Sequence, residues 1–517
     1  MQGRTPLSVM APVFDRPTEC NHVNICAALY RVAKIGPKPA LLPKREKALL
    51  SRLLRLADDM VKEKRLSGRQ LCNVAWAIGK LQVSRSDTMQ LIGDQLAADL
   101  EASHPEVRPG EVAMAAHAFA VLRNHHESLL EAVAGFVCSN PSAFKKCELA
   151  NITWAFASLG HYSDVTQEMM EDVVQELKTC INALNAQDIS MLAWSYAQLL
   201  KDHWILQDCT DTLLVHVVAP AALVQLESFQ PRDLAETALA MARAGVDHET
   251  LMKGIVQRSL LVMEAFPARE LANLSLALAK LDVRDEQFRK VLPVMTARLC
   301  GGEGRGEEPK TQELANIAWS CAVLEVEDEE LLKMIFKMVE GEYYGRGRQL
   351  PGEELRQLYQ VWLVYRRGSP GAFKGLSRRF LRALTLSWKE EKMRPKSSSA
   401  RHLAISKHLS LMRVSHQNES EHDIDIEVVG YELHEGRGKV KVQLALEVDG
   451  PAHFARNTRR QLGHTKLKHR MLKEQGWHVV RIPFYEWDPI PHFCSMEKKR
   501  YLQRKLGITQ TIFFSGE

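Results

Sequence analysis

At 517 residues, 45% hydrophobic and 25% charged, the chain is too long for one compact core and implies two or more domains, or a long repeat array with an appendage. The net charge of +5 is unevenly placed: residues 398–517 carry 19 Lys and Arg against 14 Asp and Glu, and residues 1–397 balance at 49 each. Ten cysteines without a C-x-x-C pair argue against a zinc site or a disulfide framework and for a reducing compartment in which cysteine is a small core residue. The longest apolar run, Leu213 to Leu226, is interrupted by His216, Pro220 and Gln225; no membrane span is expected.

In chain order, residues 1–20 hold three prolines and mixed charge, giving neither a secretory h-region nor an amphipathic transit helix, and are expected to be disordered or truncated. Residues 21–388 then repeat themselves. Leu71-Cys72-Asn73-Val74-Ala75-Trp76 recurs as Leu149-Ala150-Asn151-Ile152-Thr153-Trp154, Ile189-Ser190-Met191-Leu192-Ala193-Trp194, Leu271-Ala272-Asn273-Leu274-Ser275-Leu276 and Leu314-Ala315-Asn316-Ile317-Ala318-Trp319. Weaker copies begin at Ile25, Val112, Leu234 and Leu355, so the anchors are 46, 41, 37, 40, 45, 37, 43 and 41 residues apart. A period near 40 accommodates two antiparallel helices and two turns, the unit of an α-solenoid, and predicts about eight or nine such hairpins. Within a copy Leu149, Ile152, Phe156 and Leu159 make one apolar stripe, and Gly160 ends the helix. No single pair of helices buries that stripe alone, so stacking supplies the core and leaves an extended surface suited to a long ligand. The recurring Asn73, Asn151, Asn273 and Asn316 are either base readers or, as is favoured here, structural amides near helix starts. Trp76, Trp154, Trp194 and Trp319 share the phase of Leu239 and Leu276 and are expected in the core.

Residues 389–400, charged and ending in serines around Pro395, read as a linker. The final domain, 401–517, is expected to open with a helix over 402–412 and a polar loop over 417–421. A strand over 423–428, a turn at 435–438 and a central strand through Leu444, Leu446 and Val448 to the Gly450-Pro451 stop should follow. From Phe454 to Arg481 the basic residues Arg456, Arg459, Arg460, Lys466, Lys468, Arg470, Lys473 and Arg481 face one acid, Glu474, a composition suited to RNA phosphates. A strand from Trp477 to Pro483 and a basic helix from Met496 to Leu506 complete the domain.

Glu447-Val448-Asp449-Gly450-Pro451-Ala452-His453-Phe454, then Gly463-His464-Thr465-Lys466-Leu467-Lys468-His469-Arg470, Gly476-Trp477, Ile482-Pro483 and Glu486-Trp487 resemble the signature of the RAP domain. That resemblance implies a small α/β fold similar to PD-(D/E)XK nucleases, an RNA-binding role in an organelle and an array of helical repeats upstream. The repeats are similar to those of octotricopeptide-type and FAST-kinase-type proteins. These resemblances imply a mitochondrial setting first and a plastid second, with organellar rRNA or mRNA and ribosomal or RNA-processing proteins as partners.

Three functions remain open. The first is an RNA-binding protein of rRNA or mRNA processing, stability or translation, with the repeats holding RNA and the basic helix on phosphates. The second is a metal-dependent endoribonuclease. Glu447 and Asp449 fall on one face of a strand, where they are the candidate Mg²⁺ ligands. His453 is a candidate base or ligand, and Lys468 or Arg470 would replace the lysine that the nuclease motif places where Asp449 stands. The upstream acid would be Asp423 or Asp425. The third is a structural component of an organellar ribosome. No Gly-rich phosphate loop, kinase catalytic loop or G-x-S-x-G elbow occurs, so no kinase chemistry is implied.

Overall fold

A computed structural model describes residues 5–15, 20–36, 39–102, 107–301, 308–345, 350–393, 399–419, 424–429, 432–435 and 438–507. The chain divides into two compact units, 1–244 and 245–517.

The first unit opens with α1 (Pro6–Asp15), in a segment whose prolines predict no element. Met10 and Val13 are buried, and that apolar anchorage against the next two helices explains it. The hairpins α2 (His22–Ile35) and α3 (Lys44–Lys62), α4 (Gly68–Leu81) and α5 (Ser86–Leu100), α6 (Pro109–Val121) and α7 (Glu127–Ser139), and α8 (Lys146–Leu159) and α9 (Asp164–Lys178) follow. Next come α10 (Ala186–Leu200), α11 (Gln207–Leu213), a π-helical turn over Leu214–Val218, α12 (Ala219–Gln225) and α13 (Pro231–Ala244). First helices of successive hairpins pack on one another, α2 on α4, α4 on α6, α6 on α8, α8 on α10 and α10 on α13, which is how short apolar stripes sum to one core. The helical run Trp204–Ser228 is long and apolar enough, by length and composition, to cross a membrane, longer than the interrupted apolar run implied. Its residues Leu213, Leu214, Val217, Val218 and Ala222 are buried and it packs on α10 as the second helix of a repeat.

Seven of the first helices share a start that the repeat anchors do not include. The residue just before each anchor returns its side chain to the backbone amide three residues upstream. Asn24 accepts from Asn21 at 3.1 Å, Gln70 from Ser67 at 3.0 Å, Glu111 from Arg108 at 3.0 Å, Glu148 from Lys145 at 2.9 Å, Asp188 from Asn185 at 3.2 Å, Asp233 from Gln230 at 3.0 Å and Glu313 from Lys310 at 3.0 Å. This is the return half of a capping box, and an acid there also suits the positive end of the helix. Glu148→Ala is expected to lower the unfolding free energy by about 1 kcal/mol, read from the urea midpoint; an unchanged midpoint would assign the amide to water.

The recurring aromatics differ from the expectation. Trp319 is buried, but Trp76, Trp154 and Trp194 are half-buried. Three of these rings lie at the seam between neighbouring first helices rather than inside a hairpin: Trp76 meets Tyr30 at 4.7 Å, Trp154 stacks on His117 at 4.9 Å, and the Trp319 indole donates to Gln360 at 2.6 Å. Asn316 likewise accepts from Gln357 one repeat later, at 3.0 Å, which ties repeat to repeat instead of capping its own turn.

The second unit continues with α14 (Glu249–Leu261) and the hairpins α15 (Ala268–Lys280) and α16 (Glu286–Cys300), α17 (Thr311–Leu324) and α18 (Glu329–Gly345), and α19 (Gly352–Tyr365) and α20 (Arg378–Lys392). Of the expected linker, 394–398 lie outside the described residues. The α/β part then runs α21 (Ala400–Leu411), β1 (His416–Asn418), β2 (Ile426–Val428), β3 (Glu432–Glu435), β4 (Gly438–Lys441) and β5 (Gln443–Asp449). It closes with α22 (Gly463–Glu474), β6 (Trp477–Pro483), the short α23 (Phe484–Trp487) and α24 (Ser495–Leu506). The sheet order is β1-β2-β5-β6, with β5 antiparallel to β2 and parallel to β6, and α22 is the β5–β6 crossover. The segment expected as a polar loop at 417–421 begins as edge strand β1, because Gln417 pairs with Glu427. Ile426, Val428, Leu444, Leu446 and Ile482 are buried with Ile405 and Leu409 of α21 and Leu502 of α24, so two helices cover one face of the sheet.

Candidate functional site: a carboxylate cluster and a clamped basic helix

Strand β5 is internal, and Glu447 and Asp449, two residues apart, point to the same face. Each is only 1% exposed, so each carboxylate needs a cation or a donor. Lys468 of α22 supplies the first: its ammonium lies 2.5 Å from Glu447 and 3.3 Å from Asp425. Asp425, just before β2, also accepts the Val448 amide at 2.8 Å. Asp423 lies outside the described residues. Arg481 of β6 supplies the second cation, donating from Nε to Asp449 at 2.7 Å; parallel pairing sets Arg481 beside Glu447, from where its guanidinium reaches one pleat along.

Two imidazoles complete the surround. His453 Nδ1 lies 3.1 Å from the Thr465 hydroxyl and 3.6 Å from Asp449, and His469 Nε2 lies 3.8 Å from Asp449. Burial holds both rings below the usual histidine range, His469 at about 3, with Arg481 and Lys468 adding to that depression. Burial raises the Asp449 carboxyl while Arg481 opposes it. His453 and His469 are therefore neutral at pH 7 and Arg481 carries the pairing charge.

An unfolded histidine takes up a proton near pH 6.5, which buried His469 refuses until about pH 3. Below pH 6.5 the unfolded state binds more protons, so stability is full above about pH 7 and falls as the pH drops toward 3. The unfolding free energy is expected to be on the order of 1 kcal/mol lower at pH 5.5 than at pH 7.5 through this ring. His469→Gln should flatten that slope in urea titrations, and an unflattened slope would place the titration elsewhere.

Asp425, Glu447 and Lys468 converge as an upstream acid, a strand acid and a lysine would in a PD-(D/E)XK site. They do not fit a divalent cation as arranged, because the Lys468 ammonium occupies the position between the two carboxylates that a metal would need and Asp449 is turned to Arg481. Among the described residues no group of three or more His, Cys, Asp or Glu is placed to hold a metal ion.

Apart from Lys468 and Arg481, the basic residues around α22 fall into two sets. One set is clamped onto the helical repeats of the same unit. Arg460 donates to Asp247 at 2.8 Å and to the Leu281 carbonyl at 2.7 Å. Lys466 pairs with Asp282, and Arg470 bonds the Ala322 carbonyl and lies 3.6 Å from Glu325. Asn457 and Asp247 exchange amide bonds at 2.9 and 2.7 Å, and the Arg456 backbone amide donates to Gly245 at 2.8 Å. The cations fall on successive inter-helix turns: Asp282 and Glu325 follow α15 and α17, whose last carbonyls form the negative helix end. Gly463 is the closest approach. A Cβ there would stand 1.9 Å from the Ala279 carbonyl oxygen and 2.6 Å from Val323, so glycine is what lets α22 dock.

The other set faces solvent. Arg456, Arg459 and Lys473 are exposed, with the Arg459 guanidinium 5.6 Å above the Tyr485 ring. Lys468 and Arg481 serve the carboxylates. The eight residues selected from sequence thus do three different jobs.

A helical-repeat array joined to a four-stranded α/β module with a buried acid–lysine cluster defines the class of this protein. The module is a RAP domain: the model of the RAP domain family matches residues 446–505. The chain is 41% identical over 68 residues to a chloroplastic RAP domain-containing protein of Oryza sativa subsp. japonica, covering 13% of this chain and 10% of the relative. It is 36% identical over 75 residues to the mitochondrial FAST kinase domain-containing protein 3 of Homo sapiens, covering 14% and 11%. Rattus norvegicus FAST kinase domain-containing protein 4 matches at 27% over 164 residues, 32% of this chain and 24% of the relative. The chain thus spans about a tenth to a quarter of the length of these relatives.

Proposed function

We propose that this protein binds RNA in an organelle, mitochondrion or plastid, and acts in rRNA or mRNA processing, stability or translation without cleaving RNA itself. The RAP domain, with its concentration of basic side chains, is the observation that carries the RNA assignment. The pairing of Lys468 with Glu447 and Asp425 favours binding over metal-dependent cleavage, since the carboxylates already have their counter-charge. Phosphate contact falls to Arg456, Arg459 and Lys473, the exposed members of the basic set. The relatives named as chloroplastic and mitochondrial support the organellar setting.

The test is retention of single-stranded RNA by the full chain across a salt series. Neutralising Arg456, Arg459 and Lys473 together to glutamine should weaken retention uniformly and reduce the salt slope by about two, since each phosphate neutralised on a single strand adds about 0.7 to that slope. Retention that is insensitive to salt and to the triple variant would remove phosphate binding from this surface.

A further inference from the structure

The balanced charge of residues 1–397 conceals a local excess. Between Arg366 and Lys392 there are eight Lys and Arg against two acids, Glu390 and Glu391. This segment is the turn after α19 and all of α20, within the last hairpin of the array. Arg367, Lys374, Arg378, Arg379, Arg382 and Lys389 of that segment are exposed, and none is among the residues that clamp α22.

Half-buried aromatic rings interleave with these cations. On α19, Trp362 carries the Arg366 guanidinium 4.9 Å from its ring centroid; on α20, Trp388 carries the Lys392 ammonium at 4.4 Å. Both pairs are four residues apart, so each cation sits one helical turn beyond its ring on the same face. Tyr359 links them, stacked on Trp388 at 5.3 Å and 22° and lying 5.7 Å from Trp362. Beside Trp362 opens a cavity of about 430 Å³ lined by Trp362, Arg366, Pro370, Gly371, Phe373 and Lys374. Its apolar walls with two cations at the edge suit a flat aromatic ligand that carries negative charge. Glu329, the nearby acid, is turned to the Gly371 amide at 3.2 Å.

We propose that the Trp362/Arg366 and Trp388/Lys392 pairs, with the cavity bordered by Lys374, form a stacking site for bases of single-stranded RNA. The inference rests on the RNA-binding reading and extends it to a second set of residues, on the last hairpin of the repeats. Bases stack on an aromatic face whatever their identity, and the surrounding cations hold the phosphates, so the site takes an RNA strand with little base preference.

The experiment uses the full chain, total organellar RNA as probe, ultraviolet crosslinking with the crosslinked peptides mapped, and retention in parallel. Crosslinks are expected on peptides containing Trp362 or Trp388. Trp362→Leu/Trp388→Leu should lose them and weaken retention about ten-fold or more, in line with stacking of one or two bases, while Trp362→Phe/Trp388→Phe recovers most of it. Arg366→Gln/Lys374→Gln, confined to the cavity edge, should weaken retention several-fold, and it keeps the test decisive where the double leucine variant fails to fold. Wild-type retention with no crosslink in this hairpin and unchanged binding by the Arg366→Gln/Lys374→Gln variant overturns the stacking site alone. No retention by the wild type overturns the RNA-binding reading and this site with it.

Discussion

Lys468→Met is expected to destabilise the RAP domain by about 3–5 kcal/mol, the usual cost of leaving a buried carboxylate without its partner. Methionine keeps the aliphatic stem and removes only the ammonium, which lies 2.5 Å from Glu447, a residue 1% exposed. Water cannot replace that charge at Glu447, whereas Asp425, whose side chain is 25% exposed, is partly hydrated. Adding Glu447→Gln should therefore restore much of the stability, giving a coupling of more than about 1 kcal/mol in a double-mutant cycle. Hydrogen exchange across β5 and β6 reads this domain separately from the repeats. A decrease under about 1 kcal/mol for the single variant, well below the buried-pair range, would mean that the cluster is hydrated and open to a metal ion.

Gly463→Val should uncouple α22 from the repeats of its own unit. Its Cβ would meet the Ala279 carbonyl oxygen at 1.9 Å and Val323 at 2.6 Å. Neither is the tip of a long flexible side chain, so the helix itself must retreat and strain the Lys466–Asp282 and Arg470–Ala322 bonds together. The expected destabilisation is about 3 kcal/mol, at the upper end for overpacking. Faster proteolysis in the turns holding Asp282 and Glu325 is the diagnostic readout. Gly135→Ala is the control, since a Cβ there has nothing within 4 Å and alanine favours the helix interior. Equal behaviour of the two variants would show that α22 does not depend on close approach.

The architecture is legible in the sequence because its signals are periodic. A forty-residue recurrence requires a repeated helical unit, and alternation through Leu444, Leu446 and Val448 into Gly450-Pro451 requires a strand that stops. The capping side chains are equally visible, one residue before seven of the anchors, five of them acids and two the amides Asn24 and Gln70, but they emerge only when the alignment is extended by that residue. The partner of a cation is not legible. Arg460, Lys466 and Arg470 have the composition of a phosphate-binding helix, and a carboxylate at a repeat turn attracts them by the same physics. Asp247, Asp282 and Glu325 stand more than a hundred residues upstream, where only the fold brings them near. Charge averaged over 397 residues likewise hides the basic last hairpin, and helical phase cannot tell a ring inside a hairpin from one at a seam, as Trp76 and Trp154 show.

The most direct measurement is incubation of the purified full chain with total organellar RNA, with and without Mg²⁺, scoring retained RNA and new 5′ ends for the wild type and Glu447→Ala/Asp449→Ala. Retention with no new ends in either protein is the expected result, and the retained sequences would identify the target. New ends that require Mg²⁺ and vanish in the variant would contradict the account by making the carboxylates metal ligands of a nuclease, and absence of retention would contradict RNA binding itself.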